Sequence, residues 1–122
     1  FAWDTKSVFD ISVIHEILDE SDVGEIADFL KMYMDNIKQS VVQLEYEISS
    51  GKFSQAGETA HSMKSSAKVA GNHPMFVSCE KLEDLCKTGN AEEIGQLFMQ
   101  VKKQLDDSLI DIKNWIRNEI DD

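Results

Sequence analysis

Proline and cysteine are scarce in this sequence, and long apolar runs are missing. Its 122 residues include one proline and two cysteines, which excludes a proline-rich linker or a disulfide-dense scaffold. No stretch approaches the roughly 18–20 apolar residues of a membrane-spanning helix, and the first residues show no signal-peptide pattern. The composition, with 42% hydrophobic and 29% charged residues, is typical of a folded protein, and we expect one domain over residues 1–122.

Basic residues are also few. Twelve lysines and arginines stand against 23 aspartates and glutamates, which gives a formal net charge of −11. Binding to nucleic acid requires clustered cations that meet phosphates, so this balance argues against a nucleic-acid partner. It also argues against direct contact with an anionic membrane surface.

The two cysteines, Cys79 and Cys86, are seven residues apart and would share one helical face with Met75 and Leu82. We expect both to be reduced core residues that pack as small hydrophobic groups. A metal site would need further ligands at compact spacing, and only His73 is a remote candidate. The sequence therefore predicts no metal site.

Alternation of apolar and polar residues, the pattern of a strand, does not extend far enough to predict one. Apolar residues recur at helical spacing instead. A short first helix is predicted around Ile11, Ile14, Ile17 and Leu18, and four longer amphipathic helices follow. Their boundaries are marked by an Asp22-x-x-Glu25 capping box, Ser50-Gly51, Gly71-Asn72, Pro74 and Gly89-Asn90. Short loops make consecutive helices antiparallel neighbours, so we predict an all-α, up-down-up-down four-helix bundle with a short extra N-terminal helix.

One histidine lies away from the apolar stripe of its predicted helix. The stripe is centred near Ala60 and Ala67, and His61 points roughly 130° from that centre. The ring is therefore predicted to be exposed, with both alanines buried behind it. The small residues Gly57 and Ser65 flank it at helical spacing, which predicts a shallow surface that a macromolecule can approach.

The chemistry of this face favours a phosphoryl acceptor. A neutral imidazole is a nucleophile near neutral pH. Lys64 and Lys68 follow His61 on the same side of the helix and would stabilise phosphoryl oxygens. The sequence contains no magnesium-binding carboxylate cluster and no phosphate-cradling glycine loop, so another protein would have to supply that machinery.

The run "AHSMKSSAKVAGNHPMFVSCEKLEDLCKTGN", residues 60–90, closely resembles the histidine-containing phosphotransfer (HPt) domains of multistep two-component phosphorelays. Four substitutions depart from the family's pattern. Met63 and Phe76 stand where leucines are usual, and Ser65 replaces a glycine. Ala70 replaces a larger aliphatic residue before Gly71. The residues that match are Ala60, His61, Lys64, Ser66, Gly71, Cys79, Leu82 and Glu83.

The resemblance implies that His61 takes a phosphoryl group from an aspartate of a hybrid kinase's receiver domain. His61 would pass that group to an aspartate of a response regulator. Lys64, with Lys68 more peripheral, would balance its charge. The protein would have no cofactor of its own, because the receiver supplies Mg²⁺, and no kinase activity, because no ATP-binding motif is present. Gly57, Ser65 and the off-stripe Met32 are our candidates for the receiver-docking surface.

Two other readings stay open. His61 could be incidental to a structural or dimerising bundle, or it could be a general base, although no orienting carboxylate cluster or deep pocket is predicted. His15 is expected to be a solvated surface residue, and His73 a capping or exposed one. The resemblance implies a cytoplasmic location. A freestanding relay protein and the cytoplasmic C-terminal part of a membrane-anchored hybrid sensor kinase both stay open, and the start at Phe1 instead of methionine favours the second.

Overall fold

Four long α-helices make up most of the chain that the computed structural model describes, which comprises residue 10, residues 12–14 and residues 23–120. Residues 12–14 are also helical, and the described ranges contain no β-strand. The predicted all-α class is therefore confirmed. The long helices are α1 (Val23–Ser49), α2 (Phe53–Val69), α3 (His73–Cys86) and α4 (Ala91–Ile120).

The core consists of two apolar clusters, one towards each end of the bundle. The first joins Leu44 of α1, Ala56 of α2, Leu82 of α3 and Phe98 of α4. The second joins Ile26 near the start of α1, Ala70 just after α2, and Ile112 and Trp115 in the later part of α4. Each helix contacts the next, and α4 returns to α1. Because the late part of one helix meets the early part of the next, the clusters agree with the predicted antiparallel order.

A buried asparagine ties three of the helices together. Asn72 is the N-cap of α3, and its Oδ1 accepts a hydrogen bond from the Met75 N–H at 3.4 Å. Its Nδ2 donates to Tyr33 Oη of α1 at 3.0 Å and to Ser108 Oγ of α4 at 2.8 Å. Burial raises the pKa of Tyr33, which keeps the phenol neutral. The node satisfies polar groups that would otherwise be costly to bury, and it fixes the start of α3.

The turn between α2 and α3 requires a glycine. Gly71 has a φ of 71°, and a Cβ there would lie 2.5 Å from the Asp10 carbonyl oxygen. The Asp10 N–H also donates to the Gly71 carbonyl oxygen at 2.9 Å. The described part of the N-terminal segment therefore packs on this turn, and Ile14 is fully buried beyond it.

Several predictions of the sequence fall outside the described residues. They concern the remaining first-helix positions Ile11, Ile17 and Leu18, the capping residue Asp22, and His15. The predicted Pro74 start of α3 is confirmed, with His73 as the first helical residue and exposed. Met75, on the predicted face of the two cysteines, is buried, and so are Met63 and Trp115.

Replacement of Gly71 by alanine should destabilise the protein more than the same change at Gly89. Both glycines have positive φ values, but a Cβ at Gly89 would meet nothing within 4 Å. Left-handed strain costs about 1–2 kcal/mol in either variant, and only Gly71→Ala adds the clash with Asp10. Urea denaturation measures the difference. Equal losses of stability would mean that the Asp10 contact does not constrain the turn.

Neighbouring residues on α4 offer a second comparison. Phe98 is buried in the first cluster, whereas Met99 is 62% exposed. Phe98→Ala should reduce the free energy of unfolding by about 3–5 kcal/mol. Met99→Ala should change it by no more than about 0.5 kcal/mol, and so should Lys68→Ala on the exposed face of α2. Leu105 is only partly buried, so Leu105→Ala should fall between these limits. Thermal or urea unfolding that ranked Met99 above Phe98 would contradict the assigned faces.

Candidate functional site

His61 lies at the middle of α2 with its ring outward. Its side chain is 59% exposed, and Ala60 and Ala67 are fully buried on the opposite side of the helix. The predicted phase of α2 is therefore confirmed. The ring stands at the surface, where a second macromolecule can reach it.

A carboxylate from the neighbouring helix holds this histidine. Glu83 of α3 lies with Oε2 2.8 Å from His61 Nδ1 and with Oε1 2.8 Å from Lys64 Nζ. The Lys64 and Glu83 side chains are each about one-fifth exposed. The three side chains thus form one network, in which a single carboxylate bridges the imidazole and the ammonium group.

Charge in this network determines which ring nitrogen carries the proton. The hydrogen bond from Lys64, followed by that from His61, lowers the pKa of Glu83 despite the opposing effect of desolvation. The same carboxylate raises the pKa of Lys64. Glu83 is therefore ionised near neutral pH and can only accept hydrogen bonds. His61 must donate from Nδ1, which leaves Nε2 of the neutral ring with a free lone pair.

The site opens onto a groove between α2 and α3. Phe53, Gly57 and Cys86 give one side of it an apolar surface, and His61 and Glu83 lie beside them. We call this the histidine groove. Its full lining is Phe53, Ser54, Gly57, Glu58, His61, Ser62, Glu83, Cys86 and Lys87.

The position of Gly57 corrects one expectation from the sequence. Gly57 is buried, and a Cβ there would lie 3.4 Å from Cys86 Cβ and 3.8 Å from the Glu83 carbonyl oxygen. The glycine therefore allows α2 and α3 to approach closely, and it does not form an open surface beside the histidine. Gly57 lines the histidine groove. Its part in docking the receiver domain stays a prediction.

Two more of the predicted site residues, Ser65 and Lys68, lie on α2 near His61. Ser65 is exposed next to His61, and its Oγ donates to the His61 carbonyl oxygen at 3.3 Å. Lys68 is also exposed on α2, one turn beyond Lys64.

Met32 is 72% exposed, but the structure does not place it at this site. The end of α1 that reaches the His61 region is marked by Glu47, which accepts a hydrogen bond from Thr59. Met32 lies about 22 Å from Glu47 along the axis of α1. Met32 therefore lies towards the other end of α1 from the His61 region, and its part in the receiver-docking surface stays a prediction.

The sequence reading matched Glu83 to the family pattern without giving it a role, and it did not identify Phe53 or Cys86 as groove residues. Both cysteines are free and buried, as predicted. Burial raises the pKa of the Cys79 thiol to about 12 and also raises that of Cys86. Across the described ranges, no group of three or more histidine, cysteine, aspartate or glutamate side chains could hold a metal ion.

Comparison with known families supports the same reading. The family model described as the Hpt domain matches residues 28–115, well over half of the chain. This chain belongs to the Hpt domain family. Hpt domains carry out histidine phosphotransfer in the phosphorelays of two-component systems, where they interact with receiver domains and response regulators. They are phosphotransfer modules rather than catalysts.

No curated protein and no solved structure matches this Hpt domain. Among the described residues, no helix is long and apolar enough to cross a membrane.

Because His61 Nδ1 is hydrogen-bonded to Glu83, we expect the neutral ring to be the Nδ1–H tautomer. At about pH 8, where an ordinary imidazole is neutral, long-range ¹H–¹⁵N spectra should show a protonated Nδ1 and an unprotonated Nε2. Glu83→Ala should shift His61 towards the Nε2–H form because the acceptor for Nδ1–H is lost. Glu80→Ala, an exposed change on the same helix, should leave the spectrum unchanged. A dominant Nε2–H form in the unmodified protein would contradict this assignment.

Proposed function

We propose that His61 of this Hpt domain accepts a phosphoryl group from the aspartyl phosphate of one receiver domain and passes it to an aspartate of a second. The observation that carries the proposal is the exposed imidazole whose Nδ1 is hydrogen-bonded to Glu83 at 2.8 Å. With Nδ1 occupied by that bond, Nε2 is the ring nitrogen left to attack phosphorus.

The transfer step is balanced without a proton acceptor at the attacking nitrogen. Nε2 forms a bond to phosphorus while the bond between phosphorus and the aspartate oxygen breaks, and the aspartate leaves as a carboxylate. Nδ1 keeps its proton, so positive charge develops on the ring during attack. The Glu83 carboxylate stabilises that charge through the existing hydrogen bond, as an acidic partner does for an attacking or proton-accepting histidine. The reverse sequence of bond changes delivers the group to the second receiver.

Lys64 is the group on this chain that would meet the transferred phosphoryl oxygens. Its ammonium group binds the same carboxylate as the His61 ring, and its side chain is about one-fifth exposed, so it is the cation held beside the histidine. A rotation of this flexible side chain would exchange part of its contact with Glu83 for a contact with phosphate. Lys68 is more peripheral and would contribute only a screened, longer-range attraction.

The remaining chemistry would come from the partners. Phosphoryl transfer needs a divalent cation and an acidic pocket, and the family resemblance assigns both to the receiver domain. We propose the receiver of a hybrid histidine kinase as the donor, a response regulator as the acceptor and the cytoplasm as the location. The apolar side of the histidine groove would bury an apolar surface of the docked receiver.

The proposal can be tested with a panel of receiver domains, each labelled on its aspartate by radioactive acetyl phosphate and then purified. One of them, mixed with this protein and Mg²⁺, should transfer label that is acid-labile and base-stable, as a phosphoramidate is. The protein incubated with labelled ATP alone should acquire none. His61→Gln should abolish transfer and retain the helical circular-dichroism spectrum, because the exposed ring contributes little to packing. Normal labelling of His61→Gln would overturn the assignment.

The two lysines should differ in their effect on the transfer rate. Lys64→Ala should slow transfer on the order of tenfold, less than the 10²–10³-fold cost of losing an enclosed oxyanion donor, because water replaces part of the contact. Lys68→Ala should change the rate by less than about twofold, since it makes only a screened contact. Rapid-quench measurements at saturating receiver give both values. A larger effect at Lys68 would reverse the roles assigned to them.

A further inference from the structure

A second groove runs between α1 and α2, on the other side of the histidine helix. Every side chain that lines it is polar, and none is a lysine, arginine or histidine. We call it the acidic groove because two of its side chains are carboxylic acids, Glu47 and Glu58. Its full lining is Ser40, Gln43, Glu47, Gln55, Glu58, Thr59 and Ser62.

Glu47 is a buried acid in this groove without a cationic partner. The residue is 6% exposed, and its carboxylate accepts hydrogen bonds from Thr59 Oγ1 at 2.7 Å and from Gln43 Nε2 at 3.2 Å. No ion pair within the described ranges includes Glu47 or Glu58. A carboxylate has about four acceptor positions, so two donors leave part of the capacity of Glu47 unused. Burial of a charge in this state is unfavourable until a cation approaches.

The acidic groove is continuous with the histidine groove. Glu58 and Ser62 line both of them, so the two grooves lie on either side of one ridge of α2. His61 lies beside that ridge, in the histidine groove. A protein docked over the His61 ring would therefore meet the acidic groove where its surface extends across this ridge.

From this arrangement we infer that the acidic groove binds a lysine or arginine side chain of the receiver domain docked over His61. The inference rests on the proposed function, which supplies the partner. Charge complementarity and continuity with the histidine groove favour this occupant. A long cationic side chain can pass its ammonium or guanidinium group towards Glu47 while its methylene stem lies along the ridge. The Ser, Thr and Gln groups that line the groove can hydrogen-bond to the rest of it.

This contact would select and orient the receiver and leave the chemistry unchanged. It lies on the α1 side of α2, whereas Lys64 and Glu83 belong to the network that joins α2 to α3. Removal of a charge at the edge of an interface weakens association without altering groups at the reacting atoms. The expected signature is therefore an increased KM for the phosphorylated receiver with an unchanged maximal transfer rate.

The test uses the full protein and the labelled receiver that transfers fastest in the panel described above. Glu58→Lys reverses a charge at an exposed position, and Glu47→Gln removes the buried charge while keeping a similar shape. Glu45→Gln is the matched control, because Glu45 lies on α1 but pairs with Lys102 at 3.7 Å on the side of α4. Transfer is measured over a range of receiver concentrations at low and high salt, after circular dichroism has shown that each variant is folded.

Glu58→Lys and Glu47→Gln should each raise KM by about 5–10-fold at low salt, and the increase should shrink as salt screens the charges. Glu45→Gln should retain the original KM. Replacement of the contacting lysine or arginine of the receiver by glutamate should restore the original KM for transfer to the Glu58→Lys variant. If the original protein accepts label and both groove variants keep its KM, this inference is wrong and the role of His61 stands. If the original protein accepts no label from any receiver, both this inference and the proposed function of His61 are wrong.

Binding of Mg²⁺ alone provides an additional check on the kind of occupant. Isothermal titration of the protein with Mg²⁺ should show no heat that depends on Glu47, because two carboxylates with neutral neighbours do not form the compact oxygen cage that the ion prefers. Saturable Mg²⁺ binding that Glu47→Gln abolishes would assign the groove to a metal and overturn the inference.

Discussion

The close approach of α2 and α3 at Gly57 is the constraint on which the site depends. A Cβ at Gly57 would lie 3.4 Å from Cys86 Cβ, at the limit of ordinary van der Waals contact, so a side chain larger than alanine would press against α3. The same packing brings Glu83 within 2.8 Å of both His61 and Lys64. Hydrogen bonds weaken steeply with distance, so a small separation of the helices would release the imidazole and with it the preference for one tautomer. A glycine in the helix interior lowers the stability of the protein. At Gly57 it also allows the close approach of α2 and α3 on which the geometry of the site depends.

The rest of the bundle keeps these two helices in place by different means at its two ends. Near His61 the core is apolar and includes Ala56, Leu82 and Phe98. At the far end, Asn72 adds directional hydrogen bonds to α1 and α4, which fix where α3 begins. Apolar packing alone tolerates small displacements along a helix axis, whereas a buried hydrogen-bonded side chain does not. The start of α3 determines the height at which Glu83 faces α2, so this distant node supports the geometry of the His61 network.

Helical periodicity predicted the fold and the direction of His61 because it depends on residues of one chain segment. The phase of α2 follows from its own alanines, and it correctly placed the ring outward with Ala60 and Ala67 behind it. Periodicity gives no information about the axial offset between two helices. For that reason the sequence did not show that Met32 lies far from His61 along the bundle, Gly57 was expected at an open surface, and Glu83 had no assigned role. Each groove is lined by side chains from two helices, so the periodicity of one helix does not predict which residues line it.

A phosphotransfer protein must bind the phosphoryl group weakly enough to release it. If His61 has the proposed function, the network around it meets that requirement. A closed pocket of several fixed donors would stabilise phosphohistidine and slow the second transfer, because only interactions stronger in the transition state than in the bound state accelerate a step. Here Lys64 is shared with Glu83, so each contact it makes to phosphate is offset by one lost to the carboxylate. In the proposed transfer, Glu83 would stabilise the ring cation during both attack and departure. A site with one shared cation on an exposed helix therefore suits reversible transfer, and selectivity among receivers is left to the grooves on either side of it.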